Sequence, residues 1–426
     1  MYELINTDFK WIGQIPKHWK ITKIKYESFL KGRIGWQGLT SDEYVDEGPF
    51  LITGVDFKSG EIDWDNCVHV SDWRYKQAPD IYIHDNDLLI TKDGTIGKLA
   101  ITKNTPSEVT LNSGVMLIRS KSNSYENRYM YYTLLSNEFT KWFNYVNSGN
   151  TTIMHLYQHV FENFIFCMPP LEEQMRISDY LDKKCSKIDK SLIIIEEQIN
   201  VLKKYRNSII TECVTKGLKN INSLKEKESW FLGIPNRWNV SKIGSLYDLR
   251  NTKVNDKDYE PLSVTMKGIV PQLENAAKTN AHENRKLVCK GDFAINSRSD
   301  RRGACGISPC DGSISLINIV LSPRTNMNPD YYNWLFHTEA FADEFYKWGH
   351  GIVDDLWTTG WQEMKNILIP TPPLEEQEEI AAYLADHCKK IDKEIIDKEK
   401  QFELLDNYKQ SLIYEYVTGK KEVPNE

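Results

Sequence analysis

The sequence predicts a duplicated fold. We expect two α/β (α+β) blocks, each followed by a long helix, with the helices paired as an antiparallel coiled coil and an internal pseudo-two-fold repeat. Three observations predict it. The hexapeptide PPLEEQ occurs at 169–174 and again at 372–377. Each copy opens a stretch in which apolar residues recur at steps of three and four, the pattern of a coiled-coil helix. The 426 residues also exceed the usual length of one domain.

The repeat extends upstream of PPLEEQ. IGQIPKHW at 12–19 matches LGIPNRW at 232–238 with one residue deleted, and DLLITKDGTIGKLAI at 87–101 is echoed by DFAINSRSDRRGACGIS at 292–308. YYTLLSNEF at 131–139 parallels YYNWLFHTEAF at 331–341. A period of about 200 residues is too long for a solenoid, so it indicates a duplicated two-part unit.

These matches set the expected boundaries of the parts. A polar stretch that is short of aromatic residues separates the two copies and is interpreted as a linker. The predicted order is a first block at 1–168, a first helix at 169–217, the linker at 218–229, a second block at 230–371, a second helix at 372–420 and a tail at 421–426.

Each helix carries an apolar seam over about five heptads, which favours pairing of the two helices with each other. Because a whole block separates them, the pair can run antiparallel. The alternative is two independent amphipathic helices, each packed on its own block. The first seam is Ile177, Leu181, Cys185, Ile188, Leu192, Ile195, Ile199, Leu202, Ile209 and Cys213, interrupted by Arg206. The second is Ile380, Leu384, Cys388, Ile391, Ile395, Phe402, Leu405, Leu412 and Tyr416, interrupted by Lys398 and Lys409.

The ends of both helices carry matching signals. Pro170 and Pro373 are placed at the first turn, where a missing N–H costs nothing. Carboxylates that complement the helix dipole follow at Glu172, Glu173, Glu375 and Glu376. Gly217 and Gly419 stand after the last apolar positions, as helix stops. About 40 helical residues at 1.5 Å each predict a rod of roughly 60 Å.

The blocks combine short strand patterns with helical ones. PFLITGV at 49–55, DLLIT at 87–91 and GVMLIRS at 114–120 are typical of strands, whereas 128–144 and 329–348 have helical patterns. This mixture predicts an α/β type for each block and does not determine its topology.

Composition favours a globular protein with reduced thiols. Hydrophobic residues make up 40% and charged residues 27% of the chain, and no apolar run reaches the about 18 residues of a membrane span. The N-terminus lacks a signal-peptide pattern, so we expect a cytoplasmic location. None of the eight cysteines forms a C-x-x-C pair, and no zinc site is expected.

The formal net charge is −7, of which the segment 372–426 contributes −6, with 8 basic and 14 acidic residues. Net charge bears on solubility and on encounter rates, while a local basic stripe can still bind phosphate. The charge therefore neither establishes nor excludes nucleic-acid binding. It suggests that a partner supplies part of the contacts with DNA.

A search for a catalytic centre finds only weak patterns. GTIGK at 94–98 lacks the early glycine and the final Ser or Thr of a phosphate-binding loop. MPPL and TPPL, at 168–171 and 371–374, lack the polar and aromatic members of an amino-methyltransferase motif and are better explained as helix starts. An acidic nuclease-like pattern at 329–330 and 363–365 has no equivalent in the first copy. We therefore expect no catalytic and no metal-binding residues.

Together the motifs resemble those of the specificity subunits of type I restriction–modification systems. The resemblance rests on WIGQIP-x-x-W at 11–19, KGRIGWQGL at 31–39, LLITKDGTIGKLAI at 88–101, HLYQ-x-x-F at 155–161 and the doubled PPLEEQ helix, and it covers about 11–420. Each motif is modest alone, but their order and duplication are specific. The second copy departs from the pattern, since NSRSDRRGACG stands where the first has TKDGTIGK.

The resemblance implies a DNA-binding subunit that serves phage defence and does no chemistry itself. Each block would be a target-recognition domain for one short half-site, and the helices would set the gap between the half-sites. The implied partners are double-stranded DNA, two modification (methyltransferase) subunits and two restriction (endonuclease/translocase) subunits, without a membrane. S-adenosylmethionine, ATP and Mg would be bound by these partners, and no cofactor by this chain.

Candidate DNA contacts are side chains that can reach base edges or phosphates. In the first block they are Arg33, Trp36, Gln37, Lys92, Lys98, Asn150, Thr151, Thr152 and His155. In the second block they are Lys267, Arg298, Arg301, Arg302, His350 and Trp357. For each, the alternative is an ordinary solvated surface residue; for Trp36 it is packing, and for SRSDRR at 297–302 it is an internal ion-paired turn around Asp300. The alternative for the whole chain is a non-catalytic coiled-coil adaptor that binds proteins.

Overall fold

The computed structural model describes residues 3–9, 11–33, 39–148, 155–219, 230–231, 233–273, 284–324, 326–351 and 357–424. The chain forms two compact units, one of Met1–Ile195 with Lys400–Glu426 and one of Glu196–Glu399. Each unit holds one block, the first half of the helix that follows this block, and the second half of the other repeat's helix. Of the predicted linker, only Leu218 and Lys219 lie among the described residues.

The first unit contains the first block. Its strands are β1 (Leu4–Asn6), β2 (Gln14–Pro16), β3 (Lys20–Lys23), β4 (Ser28–Gly32), β5 (Tyr44–Ile52), β6 (Phe57–Lys58), β7 (Glu61–Ile62), β8 (Val68–Val70), β9 (Leu88–Thr91), β10 (Leu99–Ile101), β11 (Val109–Leu111), β12 (Val115–Ser120) and β13 (Ile165–Met168). Its helices are α1 (Ile24–Glu27), α2 (Asp72–Lys76), α3 (Asn127–Leu135), α4 (Asn137–Val146), α5 (Gln158–Phe161) and the start of α6 (Leu171–Lys216).

An antiparallel sheet of order β10–β9–β12–β4 forms the centre of the first block. Strands β9 and β12 each begin with a run of apolar residues because both faces of the sheet are covered there. Leu88 and Ile90 belong to one core cluster, with residues of α3 and α4, and Leu89 belongs to another. The second cluster lies against a sheet of order β11–β5–β8, in which β11 runs parallel to β5.

The second unit contains the second block. Its strands are β14 (Asn239–Lys242), β15 (Tyr247–Leu249), β16 (Lys253–Val254), β17 (Leu262–Thr265), β18 (Gly268–Pro271), β19 (Arg285–Val288), β20 (Phe293–Asn296), β21 (Cys305–Ile307), β22 (Gly312–Ser315), β23 (Asn318–Pro323) and β24 (Leu368–Thr371). Its helices are α7 (Ile243–Leu246), α8 (Pro329–Phe336), α9 (Glu339–Lys347), α10 (Trp361–Met364) and the start of α11 (Leu374–Val417).

The duplication predicted from sequence is confirmed in the fold. The central sheet of the second block has the order β15–β23–β20–β21, the counterpart of β4–β12–β9–β10. Strand β14 pairs with β24 as β3 pairs with β13. The sequence alignment placed Tyr131 opposite Tyr331, which is wrong by two residues. Tyr129 is the true counterpart, because it and Tyr331 each donate a backbone N–H to the N-cap side chain three residues earlier.

The two long helices pack together, as predicted. In the first unit, Ile177, Leu181 and Ile188 share a core cluster with Leu412 and Tyr416. In the second unit, the end of α6 at Ile210 and Cys213 packs with the start of α11 at Ile380, Leu384 and Cys388. The beginning of each helix thus meets the end of the other, so the pair is antiparallel and the alternative of two independent helices is wrong.

Two of the three charged residues that interrupt the seams are paired across the helices. Arg206 Nε lies 2.7 Å from Asp392 Oδ1 in the second unit. Lys409 Nζ lies 2.5 Å from Asp189 Oδ1 in the first unit, and its side chain is 17% exposed. Counted from PPLEEQ, Arg206 corresponds to Lys409 and Asp189 to Asp392. The two pairs are therefore the same contact, made once in each unit.

The two long helices run from Leu171 to Lys216 and from Leu374 to Val417. The Pro170 and Pro373 carbonyls accept the first helical hydrogen bonds, so both prolines directly precede the helices and do not lie inside their first turns. Gly217 and Gly419 adopt left-handed φ values of 80° and 68° just past the helix ends. A Cβ on Gly419 would lie 2.4 Å from Pro16 Cδ, so this stop requires glycine.

Among the described residues, no helix has both the length and the apolarity needed to cross a membrane. All eight cysteines are free thiols, and Cys185, Cys213 and Cys388 are buried along the two long helices. There they behave as small apolar residues.

Candidate nucleic-acid interface

One candidate contact in the first block is a structural residue. Arg33 is 2% exposed, and its guanidinium donates to the Leu111 carbonyl at 2.8 Å and to Thr110 Oγ1 at 3.0 Å. Burial, helped by the nearby Arg74, lowers the pKa of Arg33. The predicted base contact is therefore wrong in this conformation. Sequence reasoning missed this role because arginine is rarely fully buried.

Three of the other candidates surround one loop. Residues 92–98 join β9 to β10, and the Lys92 N–H donates to the Gly114 carbonyl at 2.8 Å. The Lys92 carbonyl accepts from the Leu156 N–H at 3.0 Å. His155 Nδ1 and Asp93 Oδ1 share a hydrogen bond of 2.6 Å. The fold thus brings together Lys92 and His155, which are far apart in the chain.

The backbone of the 92–98 loop is held tightly. Thr91 Oγ1 donates to the Thr95 carbonyl at 2.6 Å and accepts from the Lys98 N–H at 2.9 Å. Gly94 and Gly97 have left-handed φ values of 67° and 85°, which explains the glycines of this motif. The Lys98 side chain is exposed at the edge, and its Nζ donates to the Gly54 carbonyl at 3.2 Å. A fixed loop of this kind can present cations to a nucleic acid.

The remaining first-block candidates belong to segments outside the described residues. These are Trp36, Gln37, Asn150, Thr151 and Thr152, whose contacts stay predictions. Residues that border the two segments, 34–38 and 149–154, lie close to the 92–98 loop. Lys92 Cε would lie 3.6 Å from a Cβ on Gly32, at the end of β4, and His155 directly follows the second segment.

In the second block, the corresponding loop at 297–304 joins β20 to β21. Arg298 Nε lies 3.2 Å and Arg301 Nε 3.9 Å from opposite oxygens of Asp300. Arg302 forms an ion pair with Asp343 of α9. The loop therefore combines features of the predicted cationic cluster and of its alternative, an ion-paired turn: all three arginines are on the surface, and acids lie close to Arg298 and Arg302.

A short segment brings the other second-block candidates to this loop. The Ser299 N–H donates to the Trp357 carbonyl at 2.9 Å. Two hydrogen bonds join His350 to Thr358, with the His350 N–H donating at 3.1 Å. Arg298, His350 and Trp357 therefore lie together, and Trp357 is 36% exposed.

Lys267 stands somewhat apart from that group. It lies exposed in the turn between β17 and β18 and lines a cleft of about 1760 Å³. Arg302 and Asp343 line the same cleft. Lys267 is thus on the same side of the block as the arginine loop.

The two loops share one backbone frame. In the first block the Leu156 N–H donates to the Lys92 carbonyl at 3.0 Å, and in the second the Thr359 N–H donates to the Ser297 carbonyl at 3.0 Å. Lys92 therefore corresponds to Ser297, and His155 to Thr358. The frame is repeated while the side chains on it differ.

Apart from Asp300, sequence reasoning missed the acids that lie beside these side chains and the tyrosine beneath the second loop. Asp93 follows Lys92 directly, so this acid was in view, but its pairing with His155 depends on a contact between distant residues. Asp343 could not be linked to the loop from the sequence, because it lies on α9, about 40 positions after Arg302. Tyr346 OH donates to the Asn296 carbonyl at 2.9 Å beneath the loop, and burial raises the pKa of this tyrosine. Its hydroxyl therefore stays neutral and available as a donor.

Within the described part of the chain, no three or more His, Cys, Asp or Glu side chains gather as metal ligands. Three carboxylates near the loops each have a basic neighbour instead: Asp93 has His155, Asp300 has Arg298, and Asp343 has Arg302. The arrangement is suited to presenting positive charge on a fixed backbone.

A family model described as the type I restriction modification DNA specificity domain matches the chain twice, at 39–204 and 235–401. The type I restriction enzyme MjaVIII specificity subunit of Methanocaldococcus jannaschii is 26% identical over 434 aligned positions, which cover 97% of this chain and 95% of that protein.

Two solved structures share the fold. One, from work on complex assembly and conformational transition of the type I R-M system, has a TM-score of 0.72 at 14% identity and covers 96% of this chain and 99% of its own. The HsdS subunit of Thermoanaerobacter tengcongensis has a TM-score of 0.52 at 15% identity, with 96% and 98% covered.

Proposed function

The chain belongs to the family of type I restriction–modification specificity subunits, and from this premise we propose that it recognises a bipartite double-stranded DNA target. Each block binds one short half-site, and the paired helices set an unspecified gap of fixed length between the half-sites. The helices carry no candidate base contact, whereas both blocks do.

The repeated loop frame is the observation that supports this proposal most. The same two strands and the same crossing hydrogen bond hold both loops, while Lys92 and His155 of one block are replaced by Ser297 and Thr358 in the other. A protein that recognises two different half-sites needs this combination. A constant frame fixes the register on the phosphates, and variable side chains select the bases.

We assign the chemistry to partner subunits. Two modification subunits methylate an adenine in each half-site with S-adenosylmethionine, after flipping the base out of the duplex. Two restriction subunits use ATP and Mg to translocate and cut. The specificity subunit contributes recognition without a cofactor or a catalytic residue of its own.

The charge of the chain supports a need for these partners. The net charge is −7, and Arg298 and Arg302 lie close to acids. Phosphate neutralisation drives most of the affinity of DNA-binding proteins. The subunit alone is therefore a weak binder, and the modification subunits supply much of the grip.

The experiment is co-expression with the neighbouring modification subunit in a host that lacks other adenine methylation, followed by single-molecule sequencing of its genome. We expect methylated adenines in one motif of two short defined halves around a constant gap. The purified chain alone serves as a control. In an electrophoretic mobility-shift assay it should bind duplexes that contain the motif more weakly than the complex does.

Other outcomes distinguish the alternatives. A stable complex without any methylated motif would favour the adaptor, a coiled-coil protein that binds other proteins. A motif that is continuous would contradict the assignment of one half-site to each block. Methyl transfer by the purified chain alone would contradict its non-catalytic role.

A further inference from the structure

The three arginines of the 297–304 loop are not equivalent. Arg298 Nε lies within hydrogen-bond range of Asp300, at 3.2 Å, and the backbone at Arg298 pairs with Thr358. Arg302 reaches across to Asp343 of α9. The Arg302 side chain therefore ties the loop to the block, the Arg298 side chain pairs within the loop, and a carboxylate restrains each of them.

Arg301 differs from both. Its side chain is 70% exposed, against 37% for Arg298 and 47% for Arg302. Its Nε is 3.9 Å from Asp300, too far for a hydrogen bond. Among the described residues, no carboxylate is recorded closer to the Arg301 guanidinium. The donors of this group remain available to another molecule.

The backbone beneath Arg301 is fixed. Its carbonyl accepts from the Ala304 N–H at 3.0 Å and from Tyr346 OH at 3.4 Å. The Ser299 N–H bonds to the Trp357 carbonyl on the other side of the turn. An exposed guanidinium on a fixed backbone loses less freedom when it binds than one on a mobile loop.

We propose that Arg301 reads a guanine in the half-site of the second block. The claim rests on the proposed function, since it presupposes that this block binds DNA. A guanidinium forms two parallel hydrogen bonds with O6 and N7 of guanine in the major groove, and no other base offers this pair of acceptors. Arg298 and Arg302 are positioning residues that hold the turn.

The assignment is confined to one half of the target. The first-block loop, KDGTIGK at 92–98, contains no arginine, and its cations Lys92 and Lys98 act as point charges. A guanine requirement that depends on Arg301 of the 297–304 loop therefore belongs to the half-site of the second block alone.

The test compares the complex of the modification subunit with wild-type chain and with Arg301→Ala. Binding is measured on duplexes in which each base pair of the motif is exchanged in turn. We expect wild type to discriminate against exchange of one G·C pair in one half-site by roughly 10-fold to 100-fold, and Arg301→Ala to lose this preference. Preferences at the other positions should persist. Arg301→Lys should restore affinity more than discrimination.

Arg324→Ala is the matched control. Arg324 is 45% exposed and paired with Asp248, and it lies beyond the opposite end of β23 from the loop. This variant should keep the wild-type preferences. If Arg301→Ala instead weakened all duplexes equally, the residue would contact phosphate and the guanine assignment would be overturned. If wild type showed no bipartite preference at all, the proposed function itself would fail.

Discussion

At the scale of single residues, Glu138 stands out because it is a buried carboxylate without a hydrogen-bond partner among the described residues. It lies on α4, is 0% exposed, and neither carboxylate oxygen is bonded. Burial raises its pKa to about 8, although Lys420 and Lys141 oppose this shift. The corresponding residue of the second block is Ala340, since Ser136 and Thr338 are the matching N-caps.

Glu138 predicts a specific pH dependence of stability. Its pKa is above the ordinary value of 4.5, so the folded state binds the extra proton between pH 4.5 and about 8. Stability is therefore highest below this window and is lost as the pH rises through it, by at most about 1.4 kcal/mol per pH unit. Relative to Glu138→Gln, the wild-type melting temperature should fall from pH 5 to pH 9. If the melting temperatures of the two proteins changed in the same way with pH across this range, the effect would be ruled out.

The candidate contacts show how far residue-level prediction reaches. Types of side chain and their local order were sufficient to predict that Lys92 and the arginines of 297–302 lie in turns, because basic residues beside glycines and polar residues are typical of turns. Their contacts with DNA stay predictions. Arg33 was assigned wrongly, since its burial depends on Thr110 and Leu111, nearly 80 positions away in the sequence.

At the scale of elements, the PPLEEQ motif does more than start a helix. The amide of Gln174 donates to the Pro169 carbonyl at 2.8 Å and accepts from the Glu126 N–H at 2.9 Å. Gln377 makes the same two bonds, to Pro372 and Asn328, at 2.8 and 2.9 Å. The glutamine thus joins the start of each long helix to its block, which explains why the motif is repeated intact.

A buried tyrosine joins each block to the end of the other long helix. Tyr129 OH lies 2.9 Å from both the Cys167 and the Val417 carbonyls, and Tyr331 OH donates to the Val214 carbonyl at 2.8 Å. Counted from PPLEEQ, Val214 and Val417 hold the same position, close to the ends of the two long helices. Each block is therefore anchored to both long helices.

Removing one of these hydroxyls should destabilise the protein. Tyr129→Phe leaves two buried carbonyls without a donor, and we expect a loss of about 1–3 kcal/mol. Tyr331→Phe should show a loss of the same kind, and Tyr26→Phe serves as the control because Tyr26 is 64% exposed. Thermal unfolding of the three variants measures the difference. Equal melting temperatures for Tyr129→Phe and Tyr26→Phe would show that the hydroxyl does not matter.

The long helices were the most predictable elements and the blocks the least. A seam repeated over many heptads is a local pattern, so pairing could be inferred from spacing alone. The partners of Arg206 and Lys409 could not, because Asp392 and Asp189 are remote in sequence. Strands β9 and β12 were visible as apolar runs, but their pairing with β4 and β10 depends on contacts between distant segments.

At the scale of the whole molecule, the duplication places two different loops on the same backbone framework. The central sheets, the helix anchors and the loop crossings recur in both halves, while the loops at 92–98 and 297–304 carry different side chains. Under the proposed function, such a chain could change one half of its target without altering the other, since no described loop residue is shared between the blocks.

The most direct test of this account is a loop exchange. Residues 297–304 are replaced by the sequence of 92–98, which joins the equivalent strands, and complex formation with the modification subunit is verified by size-exclusion chromatography. The methylated motif is then sequenced in the host genome beside that of wild type. The account predicts a change confined to one half of the motif, with the other half and the gap preserved. A change in both halves, or an altered gap, would contradict the assignment of one half-site to each block.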